Sequence, residues 1–329
     1  MKVFSALICS VLALAGAGVA APSPRSELRP VKLFGRDHVR VRDWAAAHKL
    51  QSRWLETDRR VLLTNVTQRL VLTANSQQAE LNGIKIWLSY PVVASGGGLY
   101  LSSIDLQATV EPLLFPRKNP AGAKVKTVVL DPGHGGKDPG NRVGVEAEKK
   151  YTLLLAQEIR DQLKKSGIKV VFTRTSDTFV DLPERPAKAQ KSGGDLFVSL
   201  HFNATAEGRN EVQGSEVYCL TPAGATSTNA RGEGRTAWVT GNRSNDKSTL
   251  LAYKIQKALQ AGLVSEDRGV RRARFAVLRD ATMPAALIEA GFMSHPAEGG
   301  KIFTAAYRRE MARAIVNGIL AYKREVERV

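Results

Sequence analysis

The sequence predicts a layered α/β domain with a largely parallel or mixed central sheet flanked by helices, preceded by a small β-rich domain. Three observations carry that prediction. From Val125 onward, apolar strand-like runs alternate with segments of helical periodicity, as in successive βα units. Before that point, between residues 36 and 114, short apolar or alternating runs are separated by polar turns, the signature of a small β-rich module. The two patterns meet at Phe115-Pro116-Arg117-Lys118-Asn119-Pro120-Ala121-Gly122, whose prolines, glycine and basic residues read as an interdomain linker. The expected division is therefore a signal over 1–21, a linker over 22–35, the β-rich domain over 36–114, a second linker over 115–123 and the α/β domain over 124–329.

Lys2, the apolar run from Val3 to Ala17 and the small residues Gly18-Val19-Ala20-Ala21 before Pro22 form an export-signal pattern. The run is shorter than the roughly 20 apolar residues of a membrane span, so cleavage and no permanent membrane span are expected. Cys9 sits inside that run, after Ile8, which does not suit lipid attachment. Once the signal is removed Cys219 is the one cysteine left, and no intramolecular disulfide is available. The chain carries 48 Lys and Arg against 31 Asp and Glu, formally +17; loss of Lys2 leaves 17 − 1 = +16. An exported protein of that charge is drawn to anionic polymers. Periplasm or cell envelope is the expected location. Nucleic acid is set aside, because no nucleic-acid motif or run of basic and aromatic residues is present.

In chain order, Pro22 to Pro30 is a Pro, Ser and Arg-rich linker. Val41 to Leu50 reads as a short helix with Trp44 and Leu50 on its apolar side. Trp54-Leu55, Val61-Leu62-Leu63, Leu70-Val71-Leu72 and Ile84-Ile86-Leu88 read as short strands, Asn82-Gly83 as a hairpin turn. Leu99-Tyr100-Leu101 and Ile104-Leu106 close the module. In pattern it resembles the N-terminal domain of copper amine oxidases. His38 and His48 are given structural roles. The second domain has strands at Val125 to Leu130, Lys169 to Thr173 and Leu196 to Leu200, with helices at about Glu148 to Ser166 and near Leu182 to Lys191. Thr221 to Lys247 lacks helical periodicity and reads as a mobile loop. Met311, Ile315, Ile319 and Tyr322 recur at helical spacing, which makes the C-terminal segment a packing helix.

Functional groups in such sheets gather at the carboxyl ends of the strands. His134 follows the first strand amid Gly133, Gly135 and Gly136, and His201 directly follows the third. Taken alone, the glycine loop reads equally as a ligand site or a surface turn. From Glu148 the positions at +3, +7 and +11 are Tyr151, Leu155 and Ile159, so Glu148 shares the face packed on the sheet; the same count places Glu146 toward water. An inward carboxylate at a helix start is either a charge on the helix dipole or one that needs a cation. Two imidazoles and a carboxylate form the ligand set of hydrolytic zinc sites, which leave a position open for water. Zinc lowers the pKa of that water and polarises a carbonyl. Glu289, in Pro284 to Phe292, is the candidate base at the end of an apolar run; a strand-end salt bridge is the alternative. Arg174, Arg185 and Asn203 are candidate substrate contacts, and Cys219 is expected to be buried and inert.

Leu130-Asp131-Pro132-Gly133-His134-Gly135-Gly136-Lys137-Asp138-Pro139-Gly140, Glu148-Lys149, Ser199-Leu200-His201-Phe202-Asn203-Ala204, Asp267-Arg268-Gly269-Val270 and Leu287 to Ser294 follow one another in an order that resembles the zinc-dependent N-acetylmuramoyl-L-alanine amidases. The resemblance spans about Val125 to Tyr322. It implies one zinc ion held by His134, Glu148 and His201, with Glu289 as the catalytic carboxylate. The implied substrate is peptidoglycan, cut between N-acetylmuramic acid and L-alanine, and an activator or envelope partner protein is a further expectation. His295 stands where the family usually has asparagine, and Gly144-Val145-Glu146-Ala147 departs from the usual approach to the ligand glutamate. His295 is read as a turn residue. The alternatives are a zinc-dependent murein peptidase of similar fold and a non-catalytic wall-binding protein.

Overall fold

The computed structural model describes residues 28–228 and 236–327. The expected signal, with Cys9, and residues 22–27 of the first linker lie outside them. The chain opens with β1 (Val31–Leu33) and β2 (Arg36–Arg40), followed by a helix at Val41–Ala47 that buries Trp44. An antiparallel meander follows: β3 (Gln51–Glu56), β4 (Arg60–Thr64), β5 (Arg69–Thr73), β6 (Gln78–Leu81) and β7 (Ile84–Trp87). β8 (Val93–Ser95) and β9 (Gly98–Ser102) complete a four-stranded sheet ordered β1-β2-β9-β8. Ser102 then caps a helical stretch over 103–114, its Oγ accepting from the Asp105 amide at 3.0 Å.

The second half supplies β10 (Thr127–Pro132), the small hairpin β11 (Arg142–Val143) and β12 (Glu146–Ala147), β13 (Lys169–Phe172), β14 (Leu196–Asn203), β15 (Ser215–Leu220), β16 (Asp267–Ala273) and β17 (Ala285–Phe292). Helices at Glu148–Lys165, Asn245–Gly262 and Ala305–Glu327 cover one face of the sheet, burying Val128, Leu130, Val198, Leu200, Val217 and Ile288. The short helices at Glu184–Lys191 and Ala276–Arg279 lie on the other face, where Val129, Phe197, Tyr218 and Leu287 are buried. Tyr151, Leu155, Ile159 and Leu163 form the buried stripe of the Glu148–Lys165 helix, as the periodicity predicts.

The β-rich segment does not stand apart from this sheet. The strand order is β13-β10-β14-β17-β15-β16-β7-β6-β5-β4-β3, with β7 parallel to β16 through Val270 and Ile86. The Lys85 amide donates to Asp267 Oδ2 at 2.7 Å, Trp87 Nε1 donates to the Arg268 carbonyl at 2.9 Å, and Tyr253 donates its hydroxyl to the Leu81 carbonyl at 3.1 Å. One apolar core runs from Leu63, Leu72 and Ile86 to Val270 and Ile255. The stretch over 116–126 is irregular, as a linker should be, yet it is docked: the Asn119 amide donates to the Val326 carbonyl at 2.8 Å. Pairing between strands this distant in sequence leaves no mark on local periodicity.

Two further expectations change. β14 continues to Asn203, so His201 lies within the strand, paired with Glu289, and a register shift follows it. Within Thr221 to Lys247, residues 229–235 lie outside the described ones, but Thr240–Ser244 forms a 3-10 turn and a helix starts at Asn245. The side chain of Asn242 organises the 3-10 turn, accepting from the Val239 amide at 2.9 Å and donating to the Thr221 carbonyl at 2.9 Å. A polar residue that hides helical periodicity here holds the backbone of the turn instead.

Candidate metal centre

β10 ends at Pro132, and the chain must turn at once beneath the neighbouring strand. His134 has a left-handed φ of 61°, an uncommon conformation for a residue with a Cβ. Arg185 Nη2 donates to its carbonyl at 2.9 Å and so holds it there. Two glycines make room for the ligating groups. A Cβ on Gly133 would lie 2.3 Å from His201 Cε1, and one on Gly140 would lie 2.6 Å from both Glu148 Oε2 and His134 Cδ2.

Glu148 opens its helix with 1% exposure. His134 Nε2 stands 3.1 Å from its Oε2 and His201 Nδ1 stands 3.0 Å from its Oε1. The backbone amides of Asn141 and Phe202 donate to the same two oxygens at 2.9 and 3.0 Å. One ligand atom from each of His134, Glu148 and His201 can be chosen so that all three lie within 4.8 Å of one another. Burial pushes the Glu148 carboxyl up, but His134 and His201 outweigh it and hold the group well below the usual carboxylate range. For His134 burial works downward, and Glu148 with Asp138 raises the pKa overall. Asp138 Oδ2 lies 2.8 Å from His134 Nδ1, a brace that leaves Nε2, on the side of Glu148, as the nitrogen for a cation. A buried carboxylate with two imidazoles and a carboxylate brace behind one of them is the donor chemistry of a divalent zinc site. The set adjoins a cleft of about 600 Å³ whose lining includes His134, His201, Asp138, Phe179, Leu182 and Val277.

Glu289 lies inside β17, not at a strand end, and pairs with His201 on one side and Glu216 on the other. The residue is partly exposed, but its Oε2 is enclosed and has no hydrogen-bond partner among the described residues. No salt bridge to Glu289 occurs among the described residues. Burial pushes its carboxyl well above the ordinary range, and Glu148 and Glu216 add to the rise.

Glu216 itself escaped the sequence reading. It is buried, accepts from Asn203 Nδ2 at 3.0 Å and from the Tyr218 hydroxyl at 2.9 Å, and pairs with Arg268 at 3.2 Å and Arg271 at 2.8 Å. Its place in a strand of apolar alternation was the available signal: an acidic residue there demands partners.

Arg174 and Arg185 sit behind the ligand loop, and Arg185 also borders the cleft. Both are buried, and their donors are spent on the ligand loop. Arg174 donates to the carbonyls of Pro132, Gly133 and Lys149, Arg185 to those of Pro132, Val180 and His134, and Arg185 pairs with buried Asp131 at 2.8 Å. Sitting at element ends, they brace backbone carbonyls that the tight loop leaves unpaired. His295 caps the Pro296–Ile302 helix, accepting from the Glu298 amide at 3.1 Å. Cys219 is buried against Thr249. His38 and His48 each donate from Nδ1 to a nearby backbone carbonyl.

Residues 128–321 match the family described as N-acetylmuramoyl-L-alanine amidase. The amidase AmiA of Escherichia coli is 32% identical over 253 residues, which cover 69% of this chain and 86% of the relative. A crystal structure of N-acetylmuramoyl-L-alanine amidase from Clostridium difficile 630 is 34% identical with a TM-score of 0.51, over 61% of this chain and 97% of that one. The amidase AmiC2 of Nostoc punctiforme is 32% identical with a TM-score of 0.51, over 61% and 98%.

Proposed function

The chain belongs to the N-acetylmuramoyl-L-alanine amidase family, and from that premise we propose that it frees stem peptides from peptidoglycan with one zinc ion held by His134, Glu148 and His201. The observation that carries the reading is the convergence of these three donors beside a cleft that His134 and His201 line, with Glu289 on the strand next to His201. Zinc in that place supplies Lewis acidity toward the lactyl carbonyl and makes water a nucleophile near neutral pH. The protein's part is position and proton transfer. Glu148 and the two imidazoles set the place of the reacting carbonyl, and Asp138 keeps His134 in the tautomer it needs. Glu289 takes the proton of the attacking water, whose oxygen bonds to the carbonyl carbon. The carbon–nitrogen bond then breaks, and Glu289 passes the proton to the departing L-alanine nitrogen. A carboxyl with a raised proton affinity suits both halves of that exchange.

The export pattern and the basic charge support action in the periplasm or cell envelope, and no helix among the described residues is long and apolar enough to cross a membrane. Digestion of purified sacculi with and without a chelator, followed by mass analysis, tests the whole reading. Stem peptides beginning at L-alanine should appear, disappear on chelation and return with zinc. Shortened stems left on the glycan would identify a peptidase; zinc bound without release would point to a required activator or a binding role.

Asp138→Asn checks the brace behind His134. Removing it should weaken zinc binding about 10-fold to 100-fold, read by competition with a chromophoric chelator. Undiminished affinity would mean that His134 is oriented by the loop alone.

A further inference from the structure

β16 carries a bulge: Ser215 faces Asp267 while Glu216 faces Gly269, which leaves Arg268 as the extra residue. Bulges of this kind re-aim a side chain. This one is pinned from several sides. Gly269 has a φ of +90°, and a Cβ there would lie 2.8 Å from the Lys85 carbonyl oxygen. Asp267 accepts from the amides of Lys85 and Gly269 and from Gln256, and Trp87 donates to the Arg268 carbonyl. Two of these braces, Lys85 and Trp87, come from β7, so the β-rich segment helps build the bulge.

The side chain of Arg268 is turned onto Glu216 and the Phe292 ring, its guanidinium carbon 4.9 Å from the ring centroid. Glu216 is shared by two guanidinium groups, so its single charge offsets only one of them. Arg271 is the enclosed member, with 12% side-chain exposure and a seat over Trp87. Arg268 has 24%, and only its Nε is committed to a hydrogen bond among the described residues. Arg268 therefore keeps the Nη edge of its guanidinium for a further partner, and that edge suits a carboxylate.

Its place relative to the chemistry is set by register. Glu216 pairs with Glu289, and Phe292 pairs with Asn203, two residues beyond His201 on β14 and three beyond Glu289 on β17. With strands about 4.8 Å apart, the fork lies roughly 5–10 Å from Glu289. In an extended peptide, a carboxylate on the second residue stands about 7 Å from the amide preceding the first.

We propose that Arg268 is an anion subsite for the carboxylate of the second stem-peptide residue and makes the enzyme prefer stems with a free carboxylate there over those with a carboxamide. The proposal rests on the amidase reading above. Its test uses the zinc-loaded full chain and two muramoyl dipeptides that differ only in carboxylate or carboxamide at the second residue. The carboxylate compound should have a KM about 10-fold to 100-fold lower. Arg268→Gln should raise that KM to the carboxamide value without loss of zinc, and Arg268→Lys should restore part of the difference. No preference in the parent, or an equal loss on both substrates in Arg268→Gln, overturns the proposal. Calorimetric binding of the two free peptides to the unaltered chain gives a second readout that needs no turnover. Equal binding of both also overturns it. Selective binding without hydrolysis would uphold the subsite while removing the amidase reading.

Discussion

Glu289→Gln is expected to lower amide hydrolysis by about 10²-fold to 10⁴-fold while zinc content stays that of the parent. The substitution keeps the shape of the side chain and removes its capacity to take a proton. Glu216, on the adjacent strand, cannot replace it directly, because it is already occupied by Arg268, Arg271, Asn203 and Tyr218. As a base Glu289 acts when deprotonated, so kcat/KM in the zinc-loaded parent should fall as pH drops through its pKa, which the charge of the ion draws below the raised zinc-free value. Stability of the zinc-free protein runs the other way. A carboxyl whose folded pKa lies above its unfolded value contributes stability that is complete below the unfolded pKa and is lost as pH rises through the folded one. Zinc-free Glu289→Gln should therefore gain stability over the zinc-free parent as pH rises. Activity, metal analysis and melting across pH separate the outcomes: retained turnover removes Glu289 from the mechanism, and loss of zinc along with turnover would make it part of the metal set.

Much of this site is legible before any coordinates, because its parts are local. The strand ending at Asp131-Pro132, the glycines around His134 and the stripe of the Glu148–Lys165 helix each sit within a short window, and each adopts the predicted form. Glu289 is legible as an acidic residue in an apolar strand. What local pattern cannot show is who meets whom across the sheet. Glu216 gains its meaning only beside Glu289 and under two arginines from β16, and β7 joins the sheet by pairing with residues about 180 positions away. The segment over 36–114 reads as a separate unit because short strands with polar turns look self-contained. Its buried face, with Ile84 and Ile86, instead continues the catalytic core. The bracing by Arg174 and Arg185 is hidden for a related reason: a charged residue at an element end is ordinarily exposed, and the demand of unpaired loop carbonyls for buried donors becomes visible only in the fold.

That bracing has a large measurable consequence at Arg185. Its guanidinium pairs with Asp131, which is fully buried and also accepts from Thr173 at 2.6 Å and Ser199 at 2.8 Å. Arg185→Met fills a similar volume but strands the Asp131 charge in the core and leaves the carbonyls of Pro132, His134 and Val180 without these donors. Breaking one side of a buried ion pair costs about 3–5 kcal/mol, a melting shift on the order of 10 °C for a domain of this size. Zinc affinity should fall as well, since the His134 carbonyl is released from the contact that holds its left-handed backbone. Adding Asp131→Asn to Arg185→Met should recover part of the lost stability, because the uncompensated charge is gone, yet should not restore zinc affinity, because the His134 carbonyl still lacks its donor. A brace and a substrate contact differ in this pair of readouts. If Arg185→Met melted like the parent and bound zinc as well, but showed a raised KM for muramoyl peptides, Arg185 would reach the substrate after all and the buried network around Asp131 would need another keystone.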